Sequence, residues 1–214
     1  MTSWRASLPT APADVATRVG ADLLRRWDEP HRHYHTVGHL EAVLVVIEQH
    51  QSYAADLAAV RVAAWYHDAV YDPQRVDNEE VSAQLAEAAL PALGVAPERV
   101  AEVARLVRLT AGHDPAPGDR NGELITDADL CVLAAPSEVY QAYATAIRRE
   151  YAHVPDPLFA AGRAAVLHNL LSLSPMFRVP VLRERWEDTA RLNIARELAE
   201  LGDEIAEFAR RSHR

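Results

Sequence analysis

Apolar side chains return at three- and four-residue intervals along almost all of this 214-residue chain, and alternating apolar-polar runs are scarce. That period commits the chain to helices, because a half-buried strand needs a repeat of two. Eight glycines in all, abundant alanine and long Ala/Leu/Glu/Arg segments point the same way. The expectation is an all-α fold, a single domain over residues 1–214 built from about eight or nine helices. No internal repeat and no Ser/Gly linker marks a boundary.

Prolines and capping residues set the expected helix ends. A first helix, capped by Thr10 with Pro12 near its start, runs to about Asp28, and a histidine-rich turn follows. A second spans about Thr36 to Gln49 with a core face of Leu40, Val43, Leu44 and Ile47. The third, about Ala54 to Val70, is apolar on nearly every side and is expected to run through the centre. Asp77 with Glu80 reads as a capping-box variant opening a fourth helix to Leu90, and Pro97 begins a fifth that reaches Thr110. Residues 112–121 read as a loop. Helices over about 124–134, 136–152, 157–173 (capped by Asp156) and 182–210 complete the chain. The last carries Trp186, Ala190, Ile194, Leu198, Leu201 and Ile205 on one stripe, which suits packing on its own domain or on a second copy equally.

Composition narrows the function. The chain is 49% hydrophobic and 25% charged, which excludes disordered and disulfide-scaffold classes. Its longest run without a polar side chain, residues 88–97, falls far short of the roughly 20 residues that cross a bilayer. Cys131 is the only cysteine and the first fifteen residues hold no signal-like apolar run, so a reducing, cytoplasmic setting is expected. A net charge of −9 disfavours nucleic acid. All 22 basic residues are arginine, which removes phosphate-loop and Schiff-base lysines and leaves small molecules as the expected partners.

Ten histidines are unevenly placed, and His31, His33, His35 and His39 fall within nine residues. His35 and His39 share a helix face, the spacing that lets two imidazoles approach one metal. Thr36 stands where a zinc-protease motif needs glutamate. His67-Asp68 ends the most apolar helix, where an ionised aspartate costs several kcal/mol unless it is paired or metal-bound. His113-Asp114 is a control copy in a proline-bounded loop, leaving His113 as a lid or supporting residue. Asp127-Ala128-Asp129-Leu130 again puts carboxylates into an apolar helix.

The order histidine, His-Asp, aspartate on three apolar helices resembles the HD superfamily of metal-dependent phosphohydrolases. Tyr34-His35-Thr36 with His39-Leu40, Trp65-Tyr66-His67-Asp68 with Val70-Tyr71-Asp72, Asn78-Glu79-Glu80 with Ser82-Ala83, Thr110 with His113, and Ile147-Arg148 with Glu150-Tyr151 extend the similarity over most of the chain. Together they look like a branch of stand-alone predicted HD phosphohydrolases of about this length. The resemblance implies an HD-type helical bundle holding one divalent ion (manganese, iron, cobalt, nickel, zinc or magnesium) on His39, His67, Asp68 and Asp129. His35 is the rival to His39, and Asp127 to Asp129. Two-metal members carry further histidines where this chain has Asn78 and Glu79, so one ion is expected, with Glu79 and His113 available to complete a second. It implies attack of a metal-activated water on a phosphoester of a nucleotide or another small phosphorylated metabolite. Arg32 and Arg148 are the candidates to grip phosphate, and Asp72 and Glu79 to orient or protonate a water or leaving group. Two rivals remain: an HD-type iron oxygenase, which needs additional ligands, and a nucleotide-binding module without turnover.

Overall fold

The computed structural model of the protein describes residues 2–212, and among them the side chains of residues 4–203 and 206. The expectation for Ile205 as part of the last helix's stripe lies outside the described side chains. Among the described residues there are ten α-helices, two short 3-10 turns and no strand. The chain separates into two compact units, Met1–Asp129 and Leu130–Arg214. Their junction falls inside the apolar run that follows Asp129, where no linker composition announces it.

The first unit contains α1 (Thr2–Ser7), α2 (Ala13–Trp27), α3 (Val37–Gln49), α4 (Leu57–Tyr66), α5 (Asn78–Ala89), α6 (Pro97–Leu109) and α7 (Arg120–Asp129). Helix α4 is central, packing against α1, α3, α5, α6 and α7. Ala59, Ala63 and Ala64, all fully buried, let those neighbours approach closely, and Val60, Val62, Trp65 and Tyr66 fill the space between. The predicted core face of α3 is buried as expected. Helix α1 was not legible in the sequence. It seats Trp4, fully buried, against Trp65 and Tyr66 with ring centroids 5.5 and 6.2 Å away. Gly20 of α2 leaves the space for that ring.

Several caps differ from expectation. Helix α2 begins after Pro12 rather than at Thr10, and the helix Asp156–Ser172 begins after Pro155 rather than after a cap at Asp156. Asp77 precedes α5 without a side-chain cap, because its carboxylate pairs with Arg75 instead. Helix α7 starts at Arg120, four residues early, since the Asp119 carboxylate accepts from Gly122 N at 3.0 Å and caps it.

The second unit holds α8 (Ser137–Glu150), α9 (Asp156–Ser172) and α10 (Pro180–Ser212) behind a 3-10 turn, Leu130–Ala134. Leu133, Leu167, Phe177, Ala190 and Ile194 form its core, with Trp186 and Leu198 packed at the edge. The stripe expected on the last helix therefore packs within this unit. A buried ion pair, Arg163 Nε to Glu197 Oε1 at 2.7 Å, crosses it with the Tyr140 hydroxyl donating to the same carboxylate.

Candidate metal centre

Three helices bring their ends to one point in the first unit. His39 lies in the first turn of α3, whose start is fixed by Gly38 N donating to the Thr36 hydroxyl. His67 is the residue that closes α4 and Asp68 follows it, so both project from the end of the central helix. Asp129 is the last residue of α7.

His39 Nε2 is 3.0 Å from Asp129 Oδ1 and 3.2 Å from His67 Nε2, and His67 Nε2 is 3.4 Å from the same oxygen. Asp68 Oδ2 lies 3.2 Å from His67 Nε2 and 3.8 Å from His39 Nε2. Ligand atoms about 2.1 Å from a shared ion stand about 3.0 Å apart in an octahedron and about 3.4 Å in a tetrahedron. His39, His67 and Asp129 thus form a buried group able to hold a metal ion, with Asp68 beside it.

The orientation of His67 is fixed from behind. Its Nδ1–H donates to Ala64 O at 2.8 Å, which directs Nε2 toward the other three side chains. Trp27, itself anchored by Nε1–H donating to Trp65 O, walls the two imidazoles with ring centroids 5.3 Å from His67 and 6.2 Å from His39. The sequence reading missed Trp27, although a bulky aromatic at the end of α2, just ahead of the histidine-rich turn, is the kind of signal that marks such a wall.

Electrostatically the group asks for one positive charge. Burial alone disfavours a charged His67, but the Asp68 and Asp129 carboxylates outweigh it and raise the imidazole well above its usual range. Burial lowers His39, and contact with Asp129 offsets this only in part, so this ring is neutral. Both carboxylates are held below the usual range: burial opposes their charge, but it is outweighed at Asp68 by His67 together with the charge of His35, and at Asp129 by His67 together with hydrogen bonds from His113 and His39. His39 Nδ1 is buried without a partner among the described residues. A proton on His67 Nε2 and a metal ion at the same point are alternative ways to supply the charge.

His113 reaches this centre from the loop between α6 and α7. Its Nε2 lies 2.9 Å from Asp129 Oδ2, and its backbone has a φ of 52°. A non-glycine residue in that left-handed region costs about 1 kcal/mol. Glu79, half-buried in the first turn of α5, has its carboxyl pushed up by burial, reinforced by the charges of Asp68 and Asp129.

Other expected site residues sit elsewhere. The ring of His35 is 5.8 Å from that of His39 and packs at 4.1 Å on Tyr71, outside the ligand group. Asp127 is fully buried two residues before the end of α7, near Tyr53 rather than in the group. Asp72 accepts from Gln74 N through its carboxylate and shares two backbone bonds with the Asn78 amide, which makes it a turn former rather than a catalytic group. Arg32 corrects the phosphate-binding expectation. Its side chain is fully buried between the rings of Trp27 and Tyr71, and its five N–H groups go to Glu29, His35 O, Asp68 O and Ala69 O. Arg148, in the second unit, clamps the α8–α9 turn through Tyr151 O, Val154 O and Asp156.

Comparison with known proteins finds no match for the chain among family models, curated proteins or solved structures. No helix among the described residues is long and apolar enough to cross a membrane.

Proposed function

We propose that this chain is a metal-dependent phosphohydrolase of the HD type, acting on a nucleotide or a similarly small phosphorylated metabolite. The observation that carries the reading is the buried convergence of His39, His67 and Asp129, with Asp68 beside them, at the separations a shared ion requires. When bound there, a divalent ion supplies Lewis acidity that lowers the pKa of a water and draws charge from a phosphoryl oxygen.

The remaining steps belong to the side chains. Two neutral imidazoles and two carboxylates balance the charge of one divalent ion and leave room for outside oxygens. His113 holds the second oxygen of Asp129, which orients the carboxylate and favours a single ion over a bridged pair. Glu79, with its raised carboxyl, is the group able to carry a proton toward a leaving oxygen. A cytoplasmic setting accompanies this reading, in keeping with the single cysteine.

The test is metal analysis of protein purified without chelator, for the parent and for Asp129→Asn, with a phosphate-release screen over nucleotides and sugar phosphates. The expected result is about one ion per chain in the parent, loss of it in the variant, and phosphate release by the parent alone. Metal with ferrous-dependent oxygen uptake and no phosphate release would replace this reading with an oxygenase, and metal without turnover would replace it with a binding module. Failure of both proteins to take up any divalent ion on reconstitution would remove the metal centre itself.

A further inference from the structure

Glu123 is a buried carboxylate outside the metal group, 7% exposed in the first turn of α7. Burying a charge is unfavourable unless hydrogen bonds compensate it, and two do so from different parts of the chain. Gly118 N donates to Oε1 at 2.9 Å, and the Tyr53 hydroxyl donates to Oε2. Burial, reinforced by that carboxylate, pushes the Tyr53 phenol up to about 12, so it stays a donor. Tyr53 is itself held by its N–H to His50 O at 2.9 Å and by Arg120, whose Cζ lies 5.1 Å from the ring centroid.

Gly118 lies near the end of the loop that carries His113. The loop opens with His113 N–H donating to Leu109 O at 3.0 Å at the end of α6. The left-handed residue at such an end is usually glycine. Here it is His113, with a φ of 52°, while Gly112 beside it is not left-handed. Local preference therefore does not place this turn. Residues 113–118 fully extended would span about 17 Å, whereas Glu123 and Asp129 are about 9 Å apart along α7. Chain length leaves the loop slack, so its course is set by two ties to α7: Gly118 to Glu123 at the helix start and His113 to Asp129 at its end. Pro115 and Pro117 restrict the backbone between the ties, so a change at one is carried to the other.

We infer that Glu123 is a positioning residue of the metal centre: by holding Gly118 and Tyr53 against α7, it keeps His113 on the second oxygen of Asp129. It acts through His113 rather than on the ion. The inference rests on the reading of the His39, His67 and Asp129 group as a metal centre, but the contact it concerns lies between side chains of this chain.

Two measurements separate the inference from that reading. In chelator-treated full-length protein, the His113 imidazole signals, assigned with His113→Gln, are followed by heteronuclear NMR at a fixed pH. Glu123→Ala should shift them toward those of a solvated imidazole. Glu123→Asp keeps the charge but is one methylene too short to span both partners, so it should shift them as well, and it carries the test if the alanine variant does not fold. Glu123→Gln, whose amide accepts from Gly118 and donates to Tyr53, should restore them. Titration with cobalt(II), read by its visible absorption, then reports on the centre. Glu123→Ala and His113→Ala should each weaken cobalt binding about tenfold, and the double variant should bind no more weakly than His113→Ala alone. His113 signals unchanged in a folded alanine or aspartate variant, signals shifted equally by glutamine, or additive losses of cobalt affinity would each overturn the inference. A parent that takes up no cobalt would overturn the metal centre itself, and the His113 signals would still decide whether Glu123 positions that ring.

Discussion

Replacing Gly20 with alanine sets two well-understood effects against each other. In a helix interior alanine is favoured over glycine by about 1 kcal/mol, so on local grounds Gly20→Ala stabilises α2. The packing says otherwise. A Cβ at residue 20 would stand 2.8 Å from both Cδ1 and Nε1 of Trp4, where ordinary contact begins at 3.4 Å. The indole is fully buried and cannot flex away cheaply, so overpacking costs about 1–3 kcal/mol. Withdrawal also strains the Trp4 Nε1–H bond to Ala16 O, 2.8 Å long, whose loss in the interior costs about another 1–3 kcal/mol. The net expectation is a loss of about 3 kcal/mol, seen as a fall of roughly 6–12 °C in the melting midpoint. A double-mutant cycle isolates the cause: in a Trp4→Ala background the clash is gone, and Gly20→Ala should then raise stability by about 1 kcal/mol. Gly20→Ala raising the midpoint on its own, or acting alike in both backgrounds, would refute the argument.

Arg32→Lys should lower the melting midpoint through a loss of about 2–3 kcal/mol, because three ammonium N–H groups cannot replace a five-donor fork; a folded, fully stable variant with only weakened substrate binding would restore Arg32 as a phosphate ligand. In metal-free protein, His67 has a raised folded pKa, so its contribution is complete below about pH 6.5 and is lost as pH climbs through the folded value, whereas Asp68 and Asp129, both depressed, contribute above about pH 4 and lose it as pH falls through theirs. Thermal melts across pH should therefore peak between those limits, and zinc affinity should rise about tenfold per pH unit below the folded pKa of His67, since one proton leaves as the ion enters; a pH-independent affinity would contradict the charge assignment. Glu79→Gln should keep the bound metal and remove a group of raised pKa from the pH–rate profile of phosphate release, and an unchanged profile would exclude Glu79 as the proton donor.

Particular residues show where sequence reasoning reached and where it stopped. The pairing of His67-Asp68 with an apolar helix end was legible because an unpaired charge there is costly, and the helix proved to be the central one of its unit. The choice of His39 over His35 and of Asp129 over Asp127, which the family resemblance implied, agrees with the group able to hold a metal ion. Arg32 was misread because its neighbours in space, Trp27, Tyr71 and the carbonyls after Asp68, come from distant parts of the chain. Helix α1 and the notch at Gly20 were invisible for the same reason, since neither Trp4 nor Gly20 means anything until the other is opposite it.

By itself the sequence determined the all-helical character and the apolar faces, because helix period acts through residue spacing along one segment. Only the tertiary structure decided which imidazole and which carboxylate converge, that Arg32 is a buried strut, and that the Tyr66 hydroxyl is buried without a partner among the described residues. Those facts depend on how helices cross, and a crossing is set by side chains that meet from segments far apart in sequence.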